Sequence, residues 1–210
     1  MNFKQEVSLS VHRVESEPST KEDSMPLTVY AIGHSTRPIE SFVKILAAHS
    51  ITVLVDVRKV PRSAHNPQFN SDALEGSLKK SGIDYVHLRG LGGLRHPTKD
   101  SKNTGWRNLS FRGYADYMQT KEFESNLESL IDLARKGTPA IMCAEGNPYR
   151  CHRSLIADAL TVRGIRVIHI SSGRPGRLHK LTPFAKVNGQ QITYVEEVRS
   201  DPDVNLTLYG

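Results

Sequence analysis

The densest run of reactive side chains is Cys143-Ala-Glu145-Gly-Asn-Pro-Tyr-Arg150-Cys151-His152-Arg153. It joins an apolar strand-like run to a helix-like run. A helix start exposes unpaired N–H groups and the positive end of the helix dipole, so it is a natural place for an anion. Arg150 and Arg153 add fork-shaped donors that suit phosphate or carboxylate. A cysteine near a helix start has its thiol pKa drawn down, which makes Cys151 a candidate thiolate. Three chemistries fit these residue types. A thiol phosphatase or sulfur-transfer loop wants Cys at the strand end and Arg at the helix entry, but six residues separate Cys143 from Arg150, one more than is usual. A metal centre would use Cys143, Cys151, His152 and a distant histidine, with zinc or iron as the ion, although the close Cys-x-x-Cys pairing of strong zinc motifs is missing. Anion binding with acid–base chemistry is the third.

Other reactive residues fall where further strand-like runs end. Gly33-His34-Ser35 follows the first, Asp56-Val-Arg58 and then Ser63 the second, His87-Leu-Arg89-Gly-Leu-Gly92-Gly93 the third, and His169 ends the last. In an open parallel sheet the carboxyl ends of the strands form the ligand edge. Asp56, Glu145, Cys151, His152 and His34 are therefore the expected catalytic groups. Ser35, Arg58, Ser63, Gly92, Gly93, Cys143, Arg150, Arg153 and His169 are the expected ligand-binding ones. Asp56 and Arg58 share strand parity, which also allows an internal ion pair.

The elements that would position these groups alternate along the chain. Strand-like runs are Leu27–Gly33, Thr52–Val57, Asp84–Leu88, Pro139–Ala144 and Ile165–Ile170, with a weaker one at Gln191–Val195. Helix-like runs are Ile39–Ala48, Ser71–Lys80, Lys121–Lys136 and Arg153–Arg163. Lys121–Lys136 carries Phe123, Leu127, Leu130, Ile131 and Ala134 on one face and stops at Gly137. Apolar strands separated by helices predict a single-domain α/β fold: a three-layer sandwich with a mostly parallel central sheet and helices on both faces. Gly90–Gly113 shows no element of its own, and loops that long are usually functional or disordered. The domain is expected over 27–195. A disordered arm would precede it at 1–26, with Met25 as an alternative start, and a tail would follow at 196–210.

Composition narrows the class. The chain has 210 residues, 38% of them hydrophobic and 24% charged, enough for one ordinary domain with a real core. No apolar run reaches membrane-span length, and the start lacks a signal-peptide pattern. Two cysteines are too few for a disulfide scaffold, so a reducing, cytoplasmic setting is expected. The net charge is +6, and residues 1–26 are acidic, so the basic excess lies in the remainder. That excess suits a phosphate-bearing small molecule or nucleic acid as partner. Two stretches concentrate it. Arg89, Arg95, Arg107 and Arg112 are interleaved with Trp106, Phe111 and Tyr114, a pattern suited to phosphate backbone and stacked bases. Arg174, Arg177 and Lys180 form the second. All of these basic residues, with Trp106, are expected nucleic-acid contacts.

Ile32-Gly-His-Ser35, Asp56-Val-Arg58 with Pro61 and Ser63, Asn66-Pro-Gln-Phe-Asn70, Leu91-Gly-Gly93, Cys143-Ala-Glu145 with Cys151-His-Arg153, His169-Ile, and Leu181-Thr-Pro-Phe-Ala185 together resemble the family catalogued as domain of unknown function 488. The resemblance runs from about Val29 to Ala185. It implies a compact α/β domain and groups these residues as one site, and it brings no established reaction. Gly146-Asn-Pro-Tyr149, with His179 to Pro183, is also faintly similar to the loops of uracil-DNA glycosylases. Asn147 stands where those enzymes carry Asp. The expected function is an enzyme with hydrolytic or glycosidic chemistry on a phosphate-bearing ligand. The alternatives are a non-catalytic nucleic-acid binder and a Cys/His metalloprotein.

Overall fold

A computed structural model describes residues 26–196. Residues 1–25 of the arm expected at 1–26, with its alternative start at Met25, and residues 197–210 of the tail expected at 196–210 lie outside the described residues. The chain builds β1 (Thr28–Gly33), α1 (Ile39–Ala48), β2 (Val53–Asp56), α2 (Ser71–Lys79), β3 (Asp84–His87), α3 (Leu109–Tyr117), α4 (Lys121–Lys136), β4 (Pro139–Cys143), α5 (Arg153–Thr161), β5 (Arg166–Ile170), β6 (Arg177–Leu178), β7 (Ala185–Asn188) and β8 (Gln191–Tyr194). Short 3-10 turns lie at Pro67–Phe69, Arg89–Leu91 and Pro148–Arg150.

The main sheet has the order β3-β2-β4-β1-β5-β6. The first five strands run parallel, and β6 closes the edge antiparallel to β5. β1, β2 and β4 are nearly continuous apolar runs because both of their faces are covered. On one face Ile32, Leu54 and Met142 pack against Phe42 and Leu46 of α1 and Leu74 and Leu78 of α2. On the other, Ala31, Val55 and Ile141 pack against α3, α4 and α5. This is the expected three-layer α/β sandwich with a mostly parallel sheet.

β1 and β4 are neighbours, yet β1 leads to α1 on one face and β4 to α5 on the other. Their loops therefore part in opposite directions and open a crevice beyond the strand ends, the usual ligand position in such sheets.

The segment expected to lack an element is partly helical. Asn108 caps α3 by accepting hydrogen bonds from the Ser110 and Phe111 amides, at 2.9 and 3.2 Å. Gly113 and Tyr114 lie within that helix. The weak final strand is also placed differently: β8 pairs only with β7, in a separate hairpin. That hairpin is pinned to the body by Tyr194, whose amide donates to Asn103 Oδ1 at 2.9 Å.

Candidate functional site

Cys143 ends β4, and Cys151 stands just before α5. The loop between them is folded back by Asn147, whose side chain accepts from the Tyr149 amide at 3.0 Å and starts the turn at Pro148–Arg150. Arg153 closes the loop from below. It is fully buried, its Nε donates to Cys151 Sγ at 3.3 Å, and its Nη2 donates to the Glu145 carbonyl. Gly33 permits this arrangement, because a Cβ there would run into that same Glu145 carbonyl.

Cys143, Cys151 and His152 converge. One ligating atom from each lies within 4.8 Å of the others, so among the described residues this cluster could hold a metal ion. Both cysteines are free. His152 Nε2 lies 3.0 Å from the Val57 carbonyl and must carry a hydrogen to bond it. The other ring nitrogen, Nδ1, faces Cys151 Sγ, 3.7 Å away. Hydrogen bonding from the Cys143 thiol, aided by His152 and the Arg153 charge, holds the Cys151 thiol well below its ordinary range. The Cys143 thiol is pushed up by that same bond and by burial. Cys151 is thus the thiolate of the pair. Gly93 makes room for the imidazole, since a Cβ there would sit 2.9 Å from Nδ1.

Beside this cluster is a cleft of about 310 Å³, lined by Cys143 and His152 at one end and by His34, Arg58, Ser63 and Gly93 around it. Lys59, Val60, Arg62, Leu94 and Ala144 complete the lining. His34 Nδ1 donates to its neighbour's carbonyl, Ser35 O, at 2.7 Å. Its Nε2 accepts from Arg58 Nη1 at 3.4 Å, and its ring stacks on Phe69. Burial pulls its pKa below 6.5, which keeps the ring neutral.

Asp56 and Arg58 form the internal ion pair that strand parity allowed. Arg58 Nη2 is 2.6 Å from Asp56 Oδ2 and also donates to the Phe69 carbonyl at 2.7 Å. Tyr85 donates to the same carboxylate at 2.9 Å. Asp56 is fully buried, so it shapes the cleft wall by fixing Arg58.

The sheet edge therefore gathers His34, Arg58, Ser63, Gly93, Cys143 and His152 in one cleft, with Cys151 and Arg153 bonded to it. Others sit apart. Ser35 bonds through its backbone to Ala144. Gly92 lies against Lys59. Glu145 Oε1 accepts from the Asn147 amide at 2.8 Å, and Arg150 is exposed. His169 belongs to a buried chain: its Nε2 lies 2.9 Å from His179 Nδ1, and His179 Nε2 lies 2.8 Å from Asp158 Oδ1.

The basic residues of the two stretches do not line the cleft. Arg89 and Arg95 line a separate hollow with Lys59, and Arg95 lies over the Tyr117 ring at 3.4 Å. Trp106 is packed against Phe111, Phe184 and Tyr194. Arg112 is spent on the Trp106 and Thr104 carbonyls. Those aromatic rings fill the interior beside β8. Arg107, Arg174, Arg177 and Lys180 are exposed, with Arg177 over the Tyr149 ring at 5.0 Å.

Sequence reasoning missed Lys59, Val60, Arg62 and Leu94 in the cleft, and Asp158 beyond it, and marked His179 only through the glycosylase likeness. Asp158 had a visible signal: it interrupts the apolar run Leu155-Ile-Ala-Asp-Ala-Leu160.

A family described as Domain of unknown function DUF488 matches residues 38–160. No curated protein and no solved structure matches the chain. The matched segment spans more than half of the sequence and holds the Asp56–Arg58 pair, Gly93 and the Cys143–Arg153 loop, so the chain belongs to that family.

Proposed function

We propose that this member of the DUF488 family is a hydrolytic enzyme whose centre is Cys143, Cys151 and His152, and that it acts on a phosphate-bearing ligand held in the adjoining cleft. One observation carries the reading: three soft-to-borderline donor atoms within 4.8 Å, beside an open cleft. Two thiol sulfurs and an imidazole suit a borderline-soft divalent ion, zinc or iron. Three protein donors rather than four is the pattern of catalytic sites. The surroundings fit as well. Val57 O fixes the imidazole with Nδ1 turned to the two thiols, and Arg153 Nε supports the Cys151 sulfur, both of them outer contacts that orient ligands.

Such an ion, when bound, supplies Lewis acidity that polarises an ester oxygen and makes water more acidic. The remaining tasks belong to the chain. Arg62 and Lys59 attract the ligand's charge, since Arg58 and Arg153 are already engaged. Neutral His34 presents its ring to the cleft. The bond broken is a phosphate ester or the glycosidic link of a nucleotide. Both thiols stay reduced in a cytoplasmic setting.

The test is metal analysis of untagged full-length protein. About one zinc or iron per chain is expected, falling sharply in Cys143→Ser, Cys151→Ser and His152→Gln together with any phosphoesterase or nucleotide-hydrolase turnover. Metal-free protein that also fails to take up added zinc or cobalt overturns the reading. A second reading, a nucleic-acid binder, is supported by exposed Arg89, Arg107, Arg174, Arg177 and Lys180. It requires affinity for single or double strands that falls steeply with salt.

A further inference from the structure

The metal donors and the cations leave one part of the cleft unexplained, its apolar mouth. Val60 and Leu94 stand there, 59% and 70% exposed, and Ala144 continues the lining. Leu94 has φ +58°. In that left-handed region an L side chain crowds its own backbone, so glycine or asparagine is the usual occupant. At 70% exposure Leu94 gains little from core packing to offset this. A strained, solvent-facing leucine on a cleft wall is the kind of outlier that leads from structure to function. Across the same cleft lies the flat His34 ring, stacked at 4.2 Å on Phe69 and so held in one orientation. Lys59 and Arg62 bring positive charge to the same space.

From these placements we infer that the ligand is an anion joined to a flat apolar ring, an aryl or nucleobase phosphate. Leu94 and Val60 cover the ring, and Arg62 and Lys59 hold the charge. A cleft of about 310 Å³ is at the small end for ligand sites and suits one ring with its phosphate. This inference rests on the cleft being the ligand site of the preceding section, and it adds what the ligand must carry.

Phenylphosphonate and methylphosphonate share the anionic head, differ in the ring, and contain no ester to hydrolyse. Calorimetric titration of the full chain should give phenylphosphonate an advantage of about tenfold. In Leu94→Gly that ratio should fall toward one while methylphosphonate affinity is unchanged. The variant's melting temperature should hold or rise by a few degrees, roughly the release of one left-handed strain. Arg62→Ala should weaken both compounds alike. Equal affinity of the wild-type protein for the two phosphonates overturns the inference alone, as does a Leu94→Gly variant that keeps the ratio. If neither compound binds, the cleft is not an anion site, and the phosphate-ligand reading falls with it.

Discussion

Lowering the pH tests the buried chain behind the site. Asp158 accepts from His179 Nε2, from the Thr182 amide and hydroxyl, and from the Tyr194 hydroxyl. His179 Nε2 donates to Asp158, and His179 Nδ1 lies 2.9 Å from His169 Nε2. His169 Nδ1 is left buried with no hydrogen-bond partner. Burial, with His179 and Arg153 beside it, pushes the His169 pKa down from 6.5 to about 4. The unfolded chain therefore takes up this proton first. The stability tied to neutral His169 is whole above pH 6.5 and drains as pH falls from there toward 4. Linkage gives a loss of about 2 kcal/mol by pH 5 and about 3 kcal/mol by pH 4. Other groups titrate in that window, so the effect is read as a difference. Urea unfolding of wild type and His169→Gln, at matched slopes, should show wild type losing about 2 kcal/mol relative to the variant between pH 7 and pH 5. Parallel pH curves for the two proteins would refute the buried, neutral assignment.

Further outcomes follow from individual contacts. Asp56→Asn leaves Arg58 buried against a neutral partner and should destabilise by about 3 kcal/mol or more in denaturant melts. A loss below ~1 kcal/mol would mean that water reaches the pair. Gly93→Ala puts a methyl against His152 Nδ1 and should weaken zinc or cobalt affinity about tenfold with little change in unfolding midpoint. Unchanged affinity would show that the ring needs no such clearance. Asn108→Ala removes the cap of α3 and should cost about 1 kcal/mol, checked by thermal or urea unfolding. A neutral result would mean that α3 holds by packing alone.

Much of this architecture is legible from the chain because the signals agree. Lys121–Lys136 begins at a Thr120 cap, carries one apolar face and ends at Gly137, and its bounds are those of α4. The three inner strands β1, β2 and β4 announce themselves as apolar runs because both sheet faces are covered. α3 escapes such reading because Leu109-Ser-Phe-Arg-Gly-Tyr-Ala-Asp-Tyr117 includes a glycine and mixes polar with aromatic residues. Its helical state comes from burying Tyr114, Ala115 and Tyr117 against α4 and Leu91, which is a tertiary matter. The cleft divides in the same way. Residue type and strand-end position single out His34, Cys143 and His152. Nothing local marks Leu94, because its strain and its place on the cleft arise only when the loop after β3 meets β4. The interleaved aromatics near Trp106 mislead for a related reason. Rings suited to stacking bases are equally suited to filling a core edge, and here they pack under the β7–β8 hairpin.

The position of β1 and β5 sets the smallest piece of this protein able to stand alone. The family match covers 38–160, yet Thr28–Gly33 runs through the middle of the sheet and Arg166–Ile170 flanks it. A fragment cut at the matched limits would expose β4 along a whole edge and strip the interior of Val29, Ala31 and Val167. It would also lack Tyr194, which reaches back from the far end of the chain to Asp158. Expression trials should treat 26–196 as the indivisible length, with the family-matched segment as its engraved face rather than its frame.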